Sequence, residues 1–253
     1  MKSITGIIFD IDGVLEFQGI VYPRAIEIIN TLRARGLILR FLTNSTLKSR
    51  ASCAAKLQLK GFTLTIDEIV TASYATAMYL RSLNPRSCWV LLAREGLEEF
   101  KGLPMDTDNP EYIVIGDYRE YFNFESMNKA FRLLRKGAKL VGMIPELVDT
   151  SLGELELNVG SWVQMLEKAS GVEATYIGKP HPYAIELTLK GMNLPREQVA
   201  MIGDRVNTDV IGARNSGLKS ILVKTGEFDP KDLDEKNKSD FVIDTIQDIL
   251  ALV

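Results

Sequence analysis

The first apolar run, Ile4 to Phe9, shows no polar alternation and stops at Asp10, Asp12 and Gly13. A continuously apolar, β-branched run closed by a carboxylate-glycine turn predicts a strand buried on both faces, as in a parallel sheet. Pro23 then stands where a helix begins, Ile26, Ile29 and Leu32 repeat at helical spacing, and Gly36 ends the stripe. Residues 37–44 (LILRFLTN) predict a second strand, and 46–61 (TLKSRASCAAKLQLKG) predict a second helix ending at Gly61. The rhythm returns late in the chain. ATYIGKP (174–180), QVAMIGD (198–204) and LKSILVKTG (218–226) predict strands, HPYAIELTLKG and VNTDVIGARNSG predict helices, and 239–253 predicts a strand and a closing helix.

Strand and helix alternating over short connections predict an α/β fold with a doubly wound parallel sheet. The middle of the chain has a different texture. CWVLLA, EYIVIGD and KLVGM predict strands, with a polar, turn-rich segment between the first two. Met127, Ala130, Phe131 and Leu134 form one helical face, and Trp162, Met165, Leu166 and Ala169 form another. We therefore expect residues 1–74 and 173–253 to form one domain, with 75–172 inserted as an α/β cap.

Apolar residues make up 46% of the 253-residue chain and charged residues 25%, the balance of an ordinary globular protein. The net charge of −3 offers no electrostatic reason to expect nucleic acid or an anionic membrane as partner. Cys53 and Cys88 match no metal-ligand spacing, which fits a reducing compartment. The N-terminal apolar run is too short for a signal sequence, so a cytoplasmic location is expected.

Four segments carry candidate chemistry. FDIDGV places Asp10 and Asp12 at the C-terminal end of a buried parallel strand, where α/β sheets put ligands; Asp-Gly is equally a common turn dipeptide. MIGDRVNTD places Asp204 at another strand end, with Asp209 about a turn later, and either acid could instead cap or solvate a helix. FLTNS ends a strand in Thr43, Asn44 and Ser45, where Thr43 could donate to a phosphate oxygen and Asn44 or Ser45 could cap a helix. IGKP ends a strand in Lys179, otherwise an ordinary surface lysine. Acids gathered at one sheet edge repel unless a cation sits among them, and oxygen ligands suit Mg²⁺. The inventory fits phosphoryl transfer to a carboxylate nucleophile. No G-x-G-x-x-G follows the first strand, which excludes a dinucleotide site of that type.

The order DxDG (10–13), Thr43, Lys179 and GDxxxxD (203–209) resembles the haloacid dehalogenase superfamily, on its aspartate phosphatase side. An insert between the Thr and Lys motifs resembles the NagD-like, class IIA branch with an α/β cap. TNST, IGKPHPYAIE and the run from Met201 to Phe228 support that branch. The resemblance implies that Asp10 is the nucleophile and a Mg²⁺ ligand. It implies that Asp12 is the general acid, then the base for water, and lends its backbone carbonyl to the metal. Thr43, Asn44 and Ser45 would bind the phosphoryl group and Lys179 would neutralise it. Asp204 would ligate the metal, and Asp209 would ligate or support it.

The implied substrate is a small phosphomonoester, and a homodimer through the cap is expected. Asp12 argues against dehalogenation, because halide leaves without a proton. A phosphotransferase using the same residues and a non-catalytic regulatory protein of the same fold are the alternatives. His181, the single histidine, is read as a helix-start residue. The cap departs from the branch pattern: Met143, Ile144 and Pro145 replace an Asn-containing strand end, which predicts an apolar cap surface. Tyr118, Arg119 and Glu146 lie near cap strand ends as candidates to face substrate.

Overall fold

A computed structural model describes residues 4–150, 153–233 and 237–253. Strand β1 (Gly6–Phe9) leads into a hairpin of β2 (Glu16–Phe17) and β3 (Ile20–Val21), then α1 (Ala25–Ala34) and β4 (Ile38–Thr43). Helix α2 (Arg50–Leu59), β5 (Ile69–Thr71) and α3 (Ala72–Leu83) follow. The middle holds β6 (Cys88–Leu91), β7 (Tyr112–Ile115), α4 (Phe124–Arg135) and β8 (Lys139–Gly142). After it come β9 (Val148–Asp149), β10 (Glu156–Leu157), α5 (Val159–Ser170) and β11 (Ala174–Tyr176). The chain closes with α6 (Pro182–Lys190), β12 (Val199–Gly203), α7 (Ile211–Asn215), β13 (Lys219–Val223) and β14 (Phe241–Ile243).

The chain divides into two units, one of Met1–Thr43, Cys53–Val70 and Lys179–Val253, the other of Asn44–Ser52 and Thr71–Gly178. A six-stranded sheet in the order β14-β13-β12-β1-β4-β5 organises the first. Strand β1 pairs in parallel with both β12 and β4, so that Phe9 lies level with Ile202 on one side and Phe41 on the other. All four β1 residues are buried, as a strand flanked on both sides and covered on both faces must be. Phe9 and Phe41 stack at 5.9 Å between ring centroids. Ile28, Ile29 and Leu32 of α1 join them in one core cluster. The level register brings the three central strands to an end together.

The second unit holds a four-stranded parallel sheet in the order β11-β8-β7-β6. Here the structure corrects the sequence reading. Ala174–Tyr176, grouped above with the C-terminal flank, pairs with β8 in this second sheet. A three-residue apolar-polar segment has no local feature that names its sheet. In α5 the buried face is Val159, Val163, Leu166 and Ser170, while Met165 and Ala169 are exposed and Trp162 stacks on Phe122 at 4.4 Å. The amphipathic stripe is rotated from the one expected, because Trp162 buries its area against a neighbouring ring at the rim of the core. In α4, Leu133 takes the buried place expected of Phe131.

Helix α2 starts at Arg50 rather than 46, where the Ser49 hydroxyl accepts from the Ser52 N–H at 3.1 Å. The segment 206–217 is not one α-helix: a π-turn at Val206–Val210 precedes α7. The closing segment is a 3-10 turn, Ile246–Ala251. Cys53 and Cys88 are both buried thiols. Among the described residues no helix is long and apolar enough to cross a membrane.

Candidate active site

Asp10 follows the last residue of β1, Asp204 follows the last residue of β12, and Thr43 is the last residue of β4. These strands are neighbours, and the chain leaves β1 first toward β4 and later toward β12. The order therefore reverses at β1, the crevice where open α/β sheets hold ligands outside their carboxyl ends. Three of the expected site residues are brought together by topology alone.

Lys179 closes the group from the segment before α6. Its ammonium is buried and lies 2.9 Å from Asp10 Oδ2 and 2.7 Å from Asp209 Oδ1. The other Asp209 oxygen accepts from the Thr208 hydroxyl at 3.0 Å and the Arg205 N–H at 3.1 Å. The π-turn thus folds around an acid whose side chain bonds its own backbone, which explains why the expected α-helix starts late. Asp10 Oδ1 accepts from the Ile11 N–H at 2.8 Å. Asp12 is half-buried, and its Oδ2 lies 3.5 Å from the Thr43 hydroxyl.

Asp10, Asp204 and Asp209 each offer a carboxylate oxygen within 4.8 Å of the others. Burial pushes the Asp10 pKa well up; Lys179 opposes the rise, and Asp209 and Asp204 add to it. Burial, then the Asp209 charge, raises Asp204 to about 7. Burial alone would lower the Lys179 pKa, and the two carboxylates beside it override that and raise it. One lysine therefore faces three crowded acids, and Asp204 Oδ1 is buried with no hydrogen-bond partner among the described residues. A hard cation bound by oxygen ligands fits both the excess negative charge and the orphaned oxygen.

A loop not singled out in the sequence frames Asp204. The Glu227 N–H donates to Asp204 Oδ2 at 2.7 Å, and the Gly226 N–H donates to the Tyr22 hydroxyl at 2.9 Å. The Thr225 hydroxyl donates to the Gly13 carbonyl at 2.6 Å. A Cβ on Gly13 or Gly226 would stand about 2 Å from Asp204 Oδ2, and both glycines adopt positive φ. Gly13 of the DxDG turn is therefore the space into which the second acid fits. The KTGEF segment (224–228) closes the run that resembles the family branch, and its Thr-Gly just beyond a strand is the local signal.

The remaining candidates are placed as follows. Asn44 and Ser45 lie in the second unit, where the Asn44 amide donates to Glu146 at 2.6 Å. His181 precedes Pro182 at the start of α6, and burial lowers its pKa. Arg119 pairs with Asp117 at 3.1 Å and Glu156 at 3.0 Å and has a positive φ of 51°; Tyr118 packs against Tyr121 and Phe122. Met143 and Ile144, expected to make the cap surface apolar, are buried at the end of β8 instead. Their side chains extend the hydrophobic core that the parallel strands already require.

Comparison with known proteins bears on this geometry. A family model described as Haloacid dehalogenase-like hydrolase matches residues 7–103, and a second, described as HAD-hyrolase-like, matches 176–249. The chain is 32% identical over 241 residues to bovine (Bos taurus) haloacid dehalogenase-like hydrolase domain-containing protein 2, covering 95% of this chain and 92% of that protein. It is 34% identical over 260 residues to phospholysine phosphohistidine inorganic pyrophosphate phosphatase of Danio rerio, covering 97% and 93%. Among solved structures, 4-nitrophenylphosphatase from Thermotoga maritima superposes with a TM-score of 0.91 at 30% identity, covering 98% and 97%. NagD from E. coli K-12 superposes with a TM-score of 0.88 at 26% identity, covering 96% and 97%.

Proposed function

Since the chain belongs to the haloacid dehalogenase-like hydrolases, on their NagD-like phosphatase branch, we propose that it hydrolyses small phosphomonoesters through an aspartyl phosphate on Asp10, with Mg²⁺ as cofactor. The observation that carries this reading is Lys179, a buried cation between Asp10 and Asp209 at the mouth of a parallel sheet. A lysine held there favours the ionised form of Asp10 against its burial and lies where an incoming phosphate would meet it.

In the first step a carboxylate oxygen of Asp10 bonds to phosphorus while the bond from phosphorus to the ester oxygen breaks. Asp12 gives its proton to the departing alkoxide, which leaves as the alcohol. In the second step water attacks phosphorus, Asp12 takes the water proton, and the acyl-phosphate bond breaks. Inorganic phosphate leaves, and Asp10 returns as carboxylate. Thr43, whose hydroxyl is 3.5 Å from Asp12, orients the phosphoryl group. Asp10, Asp204 and Asp209 would hold Mg²⁺, with the Asp12 carbonyl as a further ligand. When bound, the ion neutralises the clustered carboxylates and the phosphoryl oxygens, which is most of what a metaphosphate-like transition state requires. Asn44 and Ser45 complete the proposed phosphate contacts, and the cytoplasm is the proposed location.

The test is phosphate release from 4-nitrophenyl phosphate and a broad panel of phosphorylated metabolites, with Mg²⁺ or EDTA. We expect Mg²⁺-dependent turnover on part of the panel. No release from any compound, with the protein folded and Mg²⁺ present, would sink the reading.

A further inference from the structure

Glu16 is a carboxylate buried to 1% exposure, outside the residues assigned above. Lys56 of α2 approaches it at 2.6 Å, and Lys60, just beyond α2, pairs with its other oxygen. Lys60 also donates to the Gly19 carbonyl at 2.8 Å, in the turn of the β2–β3 hairpin. Burial would raise the Glu16 pKa, and the two lysines override it and lower it. A buried charge held this way is costly unless its geometry is kept, so the clamp fixes Glu16 firmly.

What Glu16 holds is the turn that carries Asp12. Its backbone carbonyl accepts from the Gly13 N–H at 2.7 Å, and its own N–H points to the Ile11 carbonyl at 3.3 Å. Asp12 and Glu16 are bridged as neighbouring extended residues. The other side of the turn is held by Thr225 through the Gly13 carbonyl. The peptide carrying Asp12 is therefore fixed from one side by the 225–227 loop and from the other by Glu16.

We propose that Glu16, clamped by Lys56 and Lys60, is a positioning residue that sets the Asp12 carboxyl at the distance proton transfer needs. The inference rests on the reading of Asp12 as the proton carrier. Glu16 touches neither substrate nor metal in this account and acts only through the 11–16 turn. Proton transfer is sensitive to such placement, since an error of about 1 Å can cost about 100-fold in rate.

The test compares kcat/KM for an alkyl phosphate, glycerol 3-phosphate, with kcat/KM for 4-nitrophenyl phosphate. Nitrophenolate leaves without a proton, and kcat/KM reports only steps through ester cleavage. Glu16→Gln is expected to lower the alkyl value about tenfold or more while the aryl value stays within about threefold. Equal losses on both esters would make Glu16 merely structural and overturn the proposal. Where Glu16→Gln does not fold, Lys60→Met replaces it: the same selective loss supports the clamp, and equal effects on the two esters overturn it. If the alkyl ester is not a substrate of the wild type, the comparison runs on the best alkyl ester of the metabolite panel. Asp12→Asn serves as the control. Should it show no selectivity between the esters, the reading of Asp12 fails; selectivity in Asp12→Asn without it in Glu16→Gln sinks the positioning role alone.

Discussion

The ammonium of Lys179 and the carboxylate of Asp10 meet at 2.9 Å with both groups almost wholly removed from water. Their elements are far apart in sequence, and the pair joins the end of β1 to the segment before α6. Removing one partner of such a pair leaves the other as an uncompensated buried charge. Lys179→Met should therefore destabilise the metal-free protein by about 3–5 kcal/mol, read from urea unfolding in EDTA, and should abolish turnover. A variant as stable as the wild type would show that the pair does not hold the two segments together.

The crowded acids predict an unusual pH dependence. Asp204 titrates near 7 in the folded protein against an ordinary 3.8, and Asp10 is displaced in the same direction. Between those values the unfolded chain has already lost a proton that the folded chain keeps. The stabilising contribution of Asp204 is thus full below about pH 4 and disappears as pH rises through about 7. In EDTA, wild-type stability minus that of Asp204→Asn should fall across this window and level off above it. A difference that is flat, or that rises with pH, would contradict the raised pKa.

Metal binding should reverse that loss. An ion that binds only the folded state at about 100-fold excess over its Kd contributes about 2.7 kcal/mol. Mg²⁺ should raise the melting temperature of the wild type at pH 8 and leave that of Asp204→Asn almost unmoved. Ca²⁺, which prefers more ligands at longer distances, should restore turnover poorly after EDTA treatment. Equal melting shifts in both proteins would place the ion somewhere other than the three acids.

The rotated face of α5 makes a prediction about packing. Leu166 is buried at 1% exposure, whereas Met165 is 42% exposed. Leu166→Ala should destabilise the protein by about 2–5 kcal/mol, and Met165→Ala should stay within about 0.5 kcal/mol of wild type. Denaturant midpoints that reverse this order would restore the face expected from the sequence.

That helix shows where sequence reasoning stops. The strands ending at Phe9, Thr43 and Gly203 were legible because a buried parallel strand is apolar throughout and its polar end is abrupt. Side-chain periodicity also found α4 and α5 but could not choose among adjacent stripes when Trp162 and Phe122 pack at the rim. The sheet to which Ala174–Tyr176 belongs was invisible, since strand pairing is a long-range property. The same holds for β5, whose three residues complete the six-stranded sheet and carry no distinctive pattern. At the site, Asp10, Asp12, Thr43, Lys179, Asp204 and Asp209 were singled out by type and position. Glu16, Tyr22 and the 225–227 loop were not, because their roles come from contacts made across the fold.

In the proposed reaction Asp10 carries the phosphoryl group between substrate and water. Acid-quenching the enzyme during turnover and sequencing its peptides by mass spectrometry tests it most directly. Phosphate is expected on Asp10 in the wild type, and neither label nor phosphate release in Asp10→Asn. Phosphate found on His181, or turnover retained by Asp10→Asn, would contradict it.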